Sequence, residues 1–187
     1  WNHKDIYELI QTEPIIRALN YPPGTPGQGH WVLEAQGKRL LVVQVMGQVD
    51  MGLNLCDPFR STEALLAKVQ HDYALLEVHA EATSEKYALG YYLGGKIDAL
   101  LGTHTHVQTA DAGFLANGTA IQADVGMTGP IHSIIGGEVE SFLGRFITQR
   151  PTPFKAASGR AMFCATELVL EGGRCVQIRP MRWDEPE

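Results

Sequence analysis

The sequence predicts an α/β protein built on a parallel sheet, and three observations carry that prediction. Residues 73–101 read as strand, helix, strand, the pattern of a parallel crossover unit. Leu40-Leu41-Val42-Val43 is nearly continuous apolar sequence, as in a strand covered on both faces. The 187 residues, 44% hydrophobic and 19% charged, suit one globular domain with a core of its own.

In chain order, Asn2 to Gln11 carries a helical stripe through Ile6, Leu9 and Ile10, opened at Asn2 or His3 and ended at Glu13-Pro14. Asn20 to Gly29 is dense in proline and glycine and reads as a rigid surface connection. It lacks the strand and helix setting of a dinucleotide loop and the Gly-Lys-Ser/Thr of a P-loop. Trp31 to Ala35 and Arg39 to Met46 read as strands joined by a hairpin at Gln36-Gly37-Lys38. After an irregular stretch, Ser61 to Gln70 reads as a helix capped by Ser61, with Leu65, Leu66 and Val69 on its apolar side. Tyr73 to Val78 is the next strand and ends at His79. Thr83 or Ser84 caps a helix through Tyr87, Leu89 and Leu93 that Gly94-Gly95 stops. Ile97 to Leu101 and Thr119 to Asp124 are further strands, and Glu138 to Gln149 is helical. Phe163 to Leu170 and Val176 to Ile178 form a hairpin, and Trp183 to Glu187 reads as a frayed tail.

Composition narrows the function classes. A net charge of −6 argues against an extended nucleic-acid surface. A small anionic substrate stays compatible, because a bound metal can dominate the local field. Cys56, Cys164 and Cys175 are odd in number and form no C-x-x-C pair, which favours buried free thiols over disulfides or structural zinc. No run of 18 apolar residues is present, so no membrane span is expected. No signal-peptide pattern opens the sequence, and a cytoplasmic protein is the expectation. The chain opens at Trp1 inside an expected helix with no strand before it, so it reads as a single domain over 1–187 that is truncated at its N-terminus.

The chemistry gathers at strand ends. Gly102-Thr103-His104-Thr105-His106 leaves one apolar strand, and His79 ends another. If the two strands are parallel neighbours, all three imidazoles reach one edge, where open α/β sheets bind ligands. A lone histidine is more often structural than a ligand, but three at strand ends fit a metal site, either mononuclear or half of a dinuclear one. Glu77, Glu81, Asp111 and Asp124 are the acids nearby, and Glu77 shares the face of His79 if the strand is regular. None of them is an evident bridging ligand. Asp124 could orient a histidine through its second ring nitrogen or serve as a turn carboxylate. Thr103, Thr105 and Thr109 read as loop hydrogen-bonding residues, and His30, His71 and His132 as surface residues.

The Gly102-to-His106 stretch resembles the terminal histidine motif of calcineurin-type metallophosphoesterases, and His79 resembles the strand-end histidine that precedes it there. His79 to Lys86, Gly102 to Asp111, Asp124 to Pro130 and the loop Asn20 to Gly27 together resemble the YmdB-like bacterial phosphodiesterases over nearly the whole chain. The resemblance implies a calcineurin-like α/β sandwich, two metals (iron or manganese), and hydrolysis of phosphodiesters such as 2′,3′-cyclic nucleotides by a metal-activated hydroxide. It assigns His79 and His104 to one metal and His106 to the other. Glu81, Asp124, Met127 and Thr128 are supporting or pocket-lining candidates. The family's remaining ligands, and the histidine of its Gly-Asn-His motif that assists catalysis, are expected upstream of Trp1. Asn2-His3 is not read as that motif, since Trp1 stands where glycine would. The chain alone is therefore expected to show weak turnover or none, with a small phosphodiester as partner and a homo-oligomer left open. Two alternatives are a mononuclear amidohydrolase, disfavoured because its His-x-His comes from a first strand, and a non-catalytic metal- or nucleotide-binding module.

Overall fold

The structure, a computed structural model, describes residues 4–186. The expected helix start at Asn2 or His3, the Asn2-His3 pair and Glu187 lie outside the described residues. Two sheets form the frame. The larger has six strands in the order β1-β2-β3-β4-β6-β5, with β1 as His30–Ala35, β2 as Lys38–Met46, β3 as Tyr73–His79, β4 as Ala99–Thr103, β5 as Gly113–Phe114 and β6 as Ala120–Gln122. Its four central strands, β2, β3, β4 and β6, run parallel, and β1 and β5 are antiparallel edges. The smaller sheet is antiparallel, of β7 (Gly129–Pro130), β8 (Ala161–Glu171) and β9 (Arg174–Asp184).

The alternation of side chains along each strand sorts the core into two layers. Leu41, Val43 and Val45 of β2, Ala74, Leu76 and Val78 of β3, and Leu100 of β4 are buried in one cluster with Leu89 and Leu93. Those leucines belong to α3 (Thr83–Tyr92) and the residue that ends it, and Phe59, Leu65 and Leu66 of α2 (Pro58–Leu66) pack on the same cluster. The opposite face carries Leu75, Ala99 and Ala120, which meet Leu168, Leu170, Cys175 and Ile178 of the smaller sheet. The protein is thus layered as helices, parallel sheet, antiparallel sheet. No helix among the described residues is long and apolar enough to cross a membrane.

Several details differ from the sequence reading. Strand β2 is fully buried only on its helix-facing side, while Leu40 and Val42 on the other face are half-buried. Helix α2 starts at Pro58, not Ser61: the Asp57 carboxylate accepts from the Phe59 and Arg60 amides at 2.8 and 3.4 Å, and the Pro58 ring needs no hydrogen bond at that position. The next helix begins one residue after Ala82, so Thr83 and Ser84 lie within its first turn and cap nothing. The Pro/Gly-rich loop is not wholly superficial. Asn20 is buried and holds the end of β2, donating to the Met46 and Cys56 carbonyls and accepting from the Met46 amide. The expected frayed tail is ordered at Trp183 and Asp184, the end of β9, which pair with Phe163 and Met162 of β8. Cys164 and Cys175 are buried free thiols, but Cys56 is exposed. His30 and His71 are half-buried, and only His132 of the three expected surface histidines is exposed. Helix α1 (Ile6–Thr12) ends at Glu13 as expected, and α4 (Val139–Thr148) lies within the expected span.

Candidate functional site

Strands β3 and β4 lie side by side in parallel, with His79 opposite Thr103. The crossover through α3 therefore brings both strand ends to one edge. Glu77 and His79 project to the face opposite Leu76 and Val78, away from the helices. Thr103 sits between them: its hydroxyl donates to Glu77 Oε1 and lies 2.9 Å from His79 Nδ1. A threonine hydroxyl has one proton. With that proton on the bond to Glu77, His79 Nδ1–H is the donor to Thr103, and Nε2 keeps its lone pair.

His104 faces this lone pair. Its Nδ1 lies 3.1 Å from His79 Nε2, and the rings meet edge to face with centroids 4.8 Å apart. On its far side His104 Nε2 lies 3.1 Å from Glu81 Oε2. A carboxylate only accepts, so Nε2–H donates to Glu81. With both rings neutral, two nitrogen lone pairs would face each other across 3.1 Å. Such an arrangement is favourable only with a shared cation, a proton or a metal ion. Imidazole–metal bonds of about 2.0–2.1 Å bring two ligands of one ion to roughly that separation. Burial, and next the neighbouring His104, hold the His79 imidazole below its ordinary pKa, which favours the neutral form that binds metals. Burial pushes the Glu77 carboxyl up, against hydrogen bonds from Thr103 and Gln44 that favour its charged form.

The turn that carries His104 is held from beneath. His104 and His106 both have positive φ, at 108° and 65°, a conformation uncommon for residues with a side chain. Gly102 lets the strand end pass close to Ala123, since a Cβ there would lie 1.8 Å from the Ala123 carbonyl oxygen. The ammonium of Lys86, on α3, donates to the Thr103 and Ala123 carbonyls at 2.8 Å each and lies 3.6 Å from Asp124, both side chains being 1% exposed. Asp124 accepts in turn from the Thr105 and Gly126 amides at 2.8 and 2.9 Å. It is the turn carboxylate of the two alternatives read from the sequence, bonded to loop backbone and to Lys86. Burial pulls the Lys86 pKa down, and Asp124 opposes it.

His106 is turned to a different neighbour. Its Nδ1 lies 2.9 Å from the Ile135 carbonyl oxygen, which makes Nδ1–H the donor and leaves Nε2 free to bind. Metal-binding histidines are commonly oriented this way. The structure brings His79, His104 and Glu81 together and does not add His106 to that group. Among the described residues no three His, Cys, Asp or Glu side chains are arranged to hold one ion. Met127 is half-buried, its sulfur within 3.2 Å of where a Cβ on Gly136 would stand, next to Ile135. Thr128 is exposed. Asp111 accepts from the Tyr87 hydroxyl and the Ala123 amide, apart from the histidines. Two contributors escaped the sequence reading. Thr103 read only as a loop hydrogen-bonding residue. Lys86 stands at i, i+3, i+7 with Leu89 and Leu93, a spacing that marks it as inward-facing.

The fold is the α/β sandwich of the metallophosphoesterases, with paired histidines at the ends of adjacent parallel strands. The chain belongs to the YmdB-like family, whose model matches residues 1–181. It is 44% identical over 174 residues to the 2′,3′-cyclic-nucleotide 2′-phosphodiesterase of Bacillus subtilis, a match covering 91% of this chain and 66% of that protein. A crystal structure of a hypothetical protein from Thermus thermophilus superposes with a TM-score of 0.97 at 61% identity, covering 100% of this chain and 73% of that one. A structure described as a novel phosphatase from Mycoplasma pneumoniae superposes with a TM-score of 0.89 at 27% identity, covering 98% of this chain and 69% of that one. The chain spans just under two thirds of the Bacillus relative.

Proposed function

We propose that this chain carries the histidine part of a metal-dependent phosphodiesterase that hydrolyses small phosphodiesters, with 2′,3′-cyclic nucleotides as the substrate class. The observation that carries the reading is the pair of imidazole nitrogens, His79 Nε2 and His104 Nδ1, facing each other at 3.1 Å with their outer nitrogens tied to Thr103 and Glu81. The name of the Bacillus relative supports the substrate class. His79 and His104 hold one metal and His106 offers its Nε2 to a second, with iron or manganese as the ions. Two such ions, when bound, supply a nucleophilic water at neutral pH and offset charge on the phosphoryl oxygens.

The chain's own residues then have distinct tasks. His79 and His104 present neutral imidazoles from fixed directions. Glu81 holds the His104 ring through Nε2–H. The Ile135 carbonyl holds the His106 ring through Nδ1–H. Lys86 and Asp124 fix the turn that carries both. The edge position at the carboxyl ends of parallel strands leaves the site open to a small anionic ligand.

The test is turnover of 2′,3′-cyclic AMP by the full-length protein with Mn²⁺. The expected result is hydrolysis that EDTA abolishes and that His79→Ala and His104→Ala each reduce by about 100-fold or more. Metal binding without turnover would instead support the non-catalytic binding module.

A further inference from the structure

The geometry points to Thr103 and Glu77 as positioning residues: a half-buried carboxylate and a single hydroxyl fix the tautomer of His79, so that Nε2 is left to bind a metal. The inference rests on the metal-site reading above and adds the device that prepares the ligand.

Register and alternation build this chain of bonds. Thr103 is the cross-strand partner of His79, and Glu77 is two residues before His79 on the same face. The hydroxyl therefore sits between a carboxylate and an imidazole, 2.9 Å from Nδ1. Directionality follows from proton count. The carboxylate has no proton to give, the hydroxyl has one, and Nδ1 must supply the next. The bonds run His79 Nδ1–H to Thr103 Oγ1, then Thr103 O–H to Glu77 Oε1. Metal-binding histidines commonly donate their second N–H to a carboxylate directly, and here a hydroxyl stands between them. Without that hydroxyl the ring would be free to carry its proton on Nε2, the atom that must bind.

Thr103→Val keeps the shape and removes the hydroxyl, and Thr103→Ser restores it. The first readout is the ring ¹⁵N spectrum of His79 in the metal-free full-length protein. Wild type and T103S are expected to show the proton on Nδ1, while T103V moves it toward Nε2. The second readout is Mn²⁺ affinity by calorimetry, expected to fall about 10–100-fold in T103V and to stay near wild type in T103S. A T103V protein that keeps the Nδ1–H tautomer and binds Mn²⁺ within about twofold of wild type overturns the inference. So does an equal loss in both variants with the tautomer unchanged, which would mark Thr103 as merely structural. If the wild type binds no Mn²⁺, the metal-site reading fails, and the tautomer spectrum still decides the role of Thr103.

Discussion

At the scale of single residues, the site depends on groups that carry no chemistry themselves. Lys86 is the clearest. Its ammonium is buried, donates to two carbonyls that flank the histidine turn, and meets a buried carboxylate that bonds two more backbone amides. Such pairs add little over an apolar pair, but removing one partner leaves an uncompensated buried charge. Lys86→Met should therefore cost about 3–5 kcal/mol in urea denaturation, and the double variant with Asp124→Asn should recover part of the loss. A cost under about 1 kcal/mol for K86M would show that the pair does not hold the turn. The sequence did not expose this residue, because a lysine on a helix is ordinarily solvated. Only its alignment with Leu89 and Leu93 betrays it. The meeting of His79 and His104 was legible, since they stand at the ends of apolar runs and those ends lie side by side.

At the scale of elements, the long segments were readable and their ends less so. Strands β1 to β4 stand out because their apolar residues alternate or run continuously over several positions. The two-residue strands β5 and β7 could not be read, being shorter than any periodicity and present only because a neighbour pairs with them. The end of β9 was misread for a similar reason. Trp183 and Asp184 are polar or exposed by sequence, yet backbone pairing to β8 holds them. Helix α2 shows the rule at a cap. Ser61 suits a cap by type, but Asp57 followed by Pro58 gives a carboxylate acceptor and a ring that starts a helix without cost. Asp57→Ala should lower stability by about 1 kcal/mol, whereas Ser61→Ala should stay within about 0.5 kcal/mol. Thermal melts of the two variants check this, and a larger loss from S61A would return the cap to Ser61.

At the scale of the whole molecule, one topological fact organises the site. Parallel neighbours β3 and β4 end on the same edge, so residues separated along the chain become adjacent imidazoles. The crossover pattern made that legible before any contact was known. What it left out is how the rings are turned: His79 to Thr103, His104 to Glu81, and His106 to the Ile135 carbonyl. The last two orientations follow from backbone with positive φ and, for His106, from a segment far along the chain, neither of which leaves a periodic trace. The measurement that bears most directly on this account is the manganese content per chain of the full-length protein, beside its His79→Ala, His104→Ala and His106→Ala variants. The account predicts two ions in the wild type, with H79A and H104A losing the same ion and H106A weakening the other. A wild-type protein that binds no manganese or iron, or histidine variants that bind as the wild type does, would contradict it.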